Sequence, residues 1–117
     1  LFNSPIEATI FYRHLPTEVR QLSEATIPLA EQIRAVASSA EYIMCQAILS
    51  GEYFRAKDAA ALRIVCLRAA RYARAHLEEY FLPMREQVIA DAEKLEEATS
   101  AYWRAFTKLS SEVVPSK

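Results

Sequence analysis

The chain has 117 residues and a formal net charge of -1, 14 basic side chains against 15 acidic ones, so no bulk bias draws it toward nucleic acid or an anionic membrane. Hydrophobic residues make up 52% and there is one glycine, Gly51. The first figure excludes intrinsic disorder, and the second excludes the turn-rich sandwiches, barrels and doubly wound sheets that lean on glycine. An all-α fold remains, and at this length residues 1–117 form one domain.

In chain order, Ser4-Pro5-Ile6-Glu7 reads as a helix start, with a capping serine, a proline at the first helical position and Glu7 completing a capping box. Pro16 and Pro28 each lack an N–H and disfavour helix in the residue before them, which predicts a break or kink near His14-Leu15 and near Thr26-Ile27. A helix from about Pro28 to Ser50 closes at Gly51. A second long helix is predicted from about Tyr53 to Leu82, bounded by Pro83. A third runs from about Met84 to Val113, and Pro115 ends the order.

The apolar periodicity is regular. Small or apolar residues step by four and three through Leu22, Thr26, Leu29, Ile33, Val36, Ala40, Ile43 and Ala47. The habit continues through Ala59, Leu62, Cys66, Ala69, Ala73, His76 and Tyr80, and again through Val88, Ala92, Leu95, Thr99, Tyr102, Phe106, Leu109 and Val113. An average spacing of about 3.5 is the seam of a bundle with helices crossing near +20°. The expected architecture is an antiparallel bundle of three to four long helices with heptad-like seams. Residues 5–27 either extend the first helix or fold back at Pro28 as a fourth.

Chemistry-bearing motifs are sparse. Cys45 and Cys66 are 21 residues apart, with no CxxC or Cys/His ladder, so the pattern does not call for zinc. Two thiols in so short a chain fit the reduced cysteines of a cytoplasmic protein. No apolar run reaches the ~20 residues of a membrane span. His76 falls on the seam of the second helix and is expected to be buried there without metal or haem. The Glu-x-x-His motif of dinuclear bundles is missing at both histidines, where Ala73 precedes His76 and Phe11 precedes His14. Glu78-Glu79 and Glu96-Glu97 are adjacent in sequence and so do not face one another on a helix. One glycine rules out a phosphate loop. No catalytic, metal or cofactor site is expected, and the chain reads as a non-enzymatic protein.

Charge distribution is more informative. Arg55, Lys57, Arg63, Arg68, Arg71 and Arg74 precede an acidic stretch that includes Glu78, Glu79, Glu86, Asp91, Glu93, Glu96 and Glu97. A hairpin turning at Pro83 sets Arg74 level with Asp91 and Arg68 level with Glu96-Glu97. Heptad arithmetic also puts Arg68, Arg71 and Arg74 on an outward face together with Ile64 and Leu67. A face turned wholly to water does not carry two such aliphatics. Ile64, Leu67, Arg68, Arg71 and Arg74 are therefore the candidate interaction surface. The expected function is protein–protein interaction, as an adaptor, chaperone-like protein or regulatory subunit that self-associates as a dimer. The alternative is a nucleic-acid-binding module whose arginine stripe tracks phosphates. A haem- or ligand-binding bundle built on His76 ranks third.

Overall fold

The computed structural model describes residues 14–55 and 58–113. Of these, 92% are helical and none lies in a strand, so the fold is all-α. The helix start read at Ser4-Pro5 and the stop read at Pro115 lie outside the described residues.

Helix α1 spans Pro16–Val36. Pro16 occupies its first turn, where a missing N–H is no loss, and Leu15 before it is non-helical, as expected. Pro28 breaks nothing and lies inside α1. An interior proline costs about 3 kcal/mol. Leu22, Ala25 and Thr26 below it and Leu29, Ala30 and Ile33 above it are all buried. Each large aliphatic in that run returns ~1.5–3 kcal/mol on burial, so continuity outweighs one lost hydrogen bond. Pro28 itself stays on the exposed side.

The reversal comes instead at Ala37-Ser38, both in extended backbone, followed by Ser39 in the left-handed region at φ 57. Helix α2, Ser39–Leu49, then returns beside α1, and Arg34 Nη1 donates to Gln46 Oε1 across the pair at 2.7 Å. The single helix expected over 28–50 is thus two. The predicted seam fails at this turn. Val36, Ala40 and Ile43 are exposed, Ile43 by 68%, and burial resumes on Met44, Cys45 and Ile48.

Gly51, at φ 80, closes α2 where expected. Helix α3 is one turn, Glu52–Arg55. Helix α4, Ala59–Ala75, starts at Asp58, whose side chain accepts from the Ala61 N–H at 3.0 Å. A short helix α5, Leu77–Tyr80, and a 3-10 turn, Leu82–Met84, lead into α6, Arg85–Val113. The helix expected over 53–82 is therefore interrupted at Asp58 and again at His76. The second interruption has a packing cause. The heptad step from Ala73 would bury Tyr80, but the core takes Phe81, which is 3% exposed while Tyr80 is 42% exposed. The bend at His76 supplies that one-residue shift.

The most extensive packing is α4 against α6, then α1 against α6. Thr26, Cys66 and Thr99 meet in one buried layer. The Thr26 Oγ1 lies 3.5 Å from Cys66 Sγ, and Thr99 lies beside the same thiol. Both hydroxyls donate to the carbonyl four residues back, of Leu22 and Leu95, so neither threonine is left unsatisfied. Arg63 over Trp103 and Gln32 bonded to Asp91 complete the register, and it runs α1 and α4 antiparallel to α6. The described residues measure 50 × 24 × 22 Å, and α6 at about 1.5 Å per residue spans most of the long axis.

Two measurements check these turns and the buried layer. Ser39→Gly relieves a left-handed serine and should raise stability by about 1 kcal/mol in urea denaturation. Gly51→Ala imposes the same conformation on a Cβ and should lower it by about 1–2 kcal/mol. The second test uses the thiols. Burial pushes both Cys45 and Cys66 up from 9.0 to about 11. Between those values the unfolded chain has lost thiol protons that the folded chain keeps, so stability should fall as pH rises from 9 to 11. Cys66→Ala should flatten that decline in the urea midpoints. An unchanged slope would show that the Cys66 thiol is not protected by the fold.

Candidate functional site

The site is built on α4. Its inward face is Ala59, Leu62, Val65, Cys66, Ala69, Ala70 and Ala73, all buried. Residues at i, i+4, i+7 and i+11 on the opposite face are Ile64, Arg68, Arg71 and Ala75. Side chains at that spacing share one face of a helix, so burying the alanine face turns this stripe outward. Ile64 is 59% exposed, and none of the described residues covers it. Beside it, Glu41 of α2, Tyr72 and His76 join Arg68 and Arg71 around a shallow cleft of about 510 Å³.

The three arginines read as one stripe have three fates. The Arg68 Nε donates to Glu41 Oε2 at 2.6 Å, tying α4 to α2. Arg74 forks onto Glu96 of α6, with Nε donating to one carboxylate oxygen at 3.0 Å and Nη2 to the other at 2.7 Å. Hydrogen bonding from Arg74 holds the Glu96 carboxyl below its ordinary range. Arg71 is exposed and has no acidic partner among the described residues.

The observed partners differ from those read off the sequence. Arg74 was expected level with Asp91 and Arg68 level with Glu96-Glu97. The backbone register is close to that expectation, since Cys66 meets Thr99 and Arg63 meets Trp103. Helical side chains lean toward their own N-terminus, however. On antiparallel helices both heads lean, so the long Arg74 and Glu96 meet although their backbones are offset by more than a turn. Arg68 is drawn to α2, whose return beside α1 carries Glu41 to it.

Leu67 is half-buried and faces the α4–α6 flank beside Arg63 and Trp103. Ile64 and Leu67 therefore sit on different sides of the outer stripe. His76 is not on the seam. Its side chain is 32% exposed, it ends α4, and its ring lies 4.3 Å from Tyr72 and 5.2 Å from Tyr80. The Nδ1 is 3.1 Å from Glu79 Oε1. A hydrogen bond from Tyr80, and then the one from His76, hold the Glu79 carboxyl below its ordinary range. His14 is exposed. Among the described residues no group of three His, Cys, Asp or Glu side chains could hold a metal ion, and no helix is long and apolar enough to cross a membrane.

Sequence reasoning missed Glu41, Tyr72 and His76 as members of the outer cleft. A usable signal was present at Ser38-Ser39-Ala40-Glu41, which has the spacing of a capping box and marks a new helix there. Ser38 is the N-cap by position, although its hydroxyl makes no capping bond and Glu41 is spent on Arg68. No family model, curated protein or solved structure matches the chain.

Both arginine pairs are more than a third exposed on the arginine side, so their worth is small. Arg74→Ala should cost at most about 1 kcal/mol in urea denaturation and lose most of that effect in high salt. A larger, salt-insensitive loss would mean that the Arg74 stem, not its charge, is what the fold requires.

Proposed function

We propose that this protein is a non-enzymatic interaction module that binds another polypeptide along the outer face of α4, and that the first such partner is a second copy of itself. The single observation that carries the reading is Ile64. It is a β-branched residue in the middle of a well-formed helix, 59% exposed, while four of the seven inward residues are alanine. Full burial of such a side chain is worth ~1.5–3 kcal/mol, and covering the exposed part recovers roughly half of that. The electrostatics support an apposed copy. Arg68 and Arg74 are compensated by Glu41 and Glu96 within the chain, so of the three arginines read as one stripe two apposed faces bring together only Arg71 as an uncompensated cation. A two-fold dimer is the commonest closed solution for such a face.

The same compensation weighs against a nucleic-acid reading. A phosphate ladder needs cations free to displace counterions, and two of the three stripe arginines are already held by carboxylates. The near-neutral net charge points the same way.

Light scattering over a range of concentrations tests the reading. The wild-type chain should run as a dimer or larger assembly, and Ile64→Glu should give folded monomers with an unchanged far-ultraviolet circular dichroism spectrum. Arg71→Glu should leave a dimer, or tighten it. A wild-type chain that stays monomeric throughout, or an Ile64→Glu variant that still assembles, overturns self-association through this face.

A further inference from the structure

On the flank of α4 away from the Glu41 cleft, a hollow of about 200 Å³ opens between α4 and α6. Arg63 and Leu67 line it from α4, and Thr99, Ser100, Trp103 and Arg104 from α6. It is smaller than the pockets that take drug-sized ligands, and it has room for one small polar group.

The two arginines around it are not held by carboxylates among the described residues. The Arg63 guanidinium lies 4.8 Å from the Trp103 ring centroid, and Phe106 stacks on the same indole at 4.8 Å. A cation over a ring is held without a hydrogen-bond acceptor, so Trp103 fixes Arg63 in place while no protein oxygen takes its donors among the described residues. Arg104 is exposed on the next turn of α6 from Ser100. Neither arginine has an ion-pair partner among the described residues. Glu96 is held by both donors of Arg74, and the nearest acid by position, Glu97, is exposed one turn before Ser100 and two turns before Arg104, with no ion pair to either arginine of the hollow. Lys108, one turn beyond Arg104, is exposed and adds to the positive field. The Thr99 hydroxyl is committed to the Leu95 carbonyl, which leaves Ser100 as the hydroxyl donor of the hollow.

We propose that this hollow binds a phosphate group, gripped between the guanidinium groups of Arg63 and Arg104 and accepting a hydrogen bond from the Ser100 hydroxyl. Two cations and a hydroxyl on different sides suit a tetrahedral dianion, whereas a single carboxylate would neutralise only one of the arginines. The phosphate comes either as the free ion or as a monoester on another chain. The inference is independent of self-association, because Ile64 lies outside the hollow.

Trp103 is the only tryptophan in the chain, so its emission reports the Arg63 contact directly. Inorganic phosphate is titrated at constant ionic strength against potassium chloride. The expected result is a saturable change in Trp103 emission with phosphate and none with chloride. Arg104→Gln, at an exposed position, should weaken the affinity roughly tenfold or more, the scale of one charge-assisted hydrogen bond, and Arg104→Lys should recover part of it. Ile64→Glu should bind as the wild type does, which separates this site from the dimer face. A phosphoserine peptide that binds about tenfold more tightly than inorganic phosphate assigns the site to a protein-borne monoester, and equal affinity assigns it to the free ion. An emission change that is linear, matched by chloride, or unaltered in Arg104→Gln while circular dichroism shows the fold intact overturns the proposal.

Discussion

The small inward face of α4 is the constraint on which the arrangement depends. Four of its seven buried residues are alanine, and they share one buried core with Ala92, Leu95 and Thr99 of α6 and Thr26 of α1. Small residues let helix axes approach closely, toward the short end of the usual 8–10 Å range. That approach brings Thr26 within hydrogen-bonding reach of Cys66, with Thr99 beside the same thiol, at the centre of the core. A polar layer there tolerates only the register in which all three find partners, so it specifies alignment while the aliphatic layers above and below supply most of the burial. The larger side chains are then displaced to the helix margins. Tyr102 and Phe106 of α6 fill the wider core beyond the alanine contact, and Ile64 is left on the outside.

The outer face of α4 is electrostatically quiet for its composition. It carries several arginines, yet each of the two neighbouring helices supplies a carboxylate to one of them, Glu41 from α2 and Glu96 from α6. These bonds serve mainly to orient long side chains, since pairs so exposed contribute little stability. Their consequence for association is larger. Under the proposed self-association they lower the repulsion between two such faces, and Arg68, one turn from Ile64, lines the same cleft. Arg63 is oriented in another way, by the face of Trp103, and so keeps its N–H donors.

Much of this was legible in the residues. The all-α class followed from one glycine and the apolar steps, and Leu22 through Ile33, Ala59 through Ala73 and Val88 through Phe106 are buried where the periodicity put them. The boundaries were harder, for identifiable reasons. Pro28 looked like a breaker because a local penalty is visible in sequence, while the burial on both sides that offsets it is tertiary. The turn at Ala37-Ser38 contains neither glycine nor proline, and it places the strain on Ser39. The displacement of His76 follows from which of Tyr80 and Phe81 the core accepts, a choice between adjacent aromatics that periodicity does not make. The outward set Ile64, Arg68 and Arg71 was readable from heptad arithmetic. The carboxylate partners were not, because Glu41 reaches Arg68 only through the return of α2, and Arg74 reaches Glu96 through the lean of side chains on antiparallel helices.

The most direct test of the α4 face as the assembly surface is the distance between copies. Cys45 and Cys66 are fully buried or nearly so, with thiols that stay protonated at neutral pH, so a spin label attaches selectively to a new surface cysteine. Arg71→Cys places a label at the centre of the outer stripe, and Glu93→Cys places one on the exposed face of α6. Dipolar spectroscopy should find a short intermolecular distance for the label at position 71, with a longer distance or none for the label at 93. A short distance at 93 with none at 71, or no intermolecular coupling at either, would contradict the account.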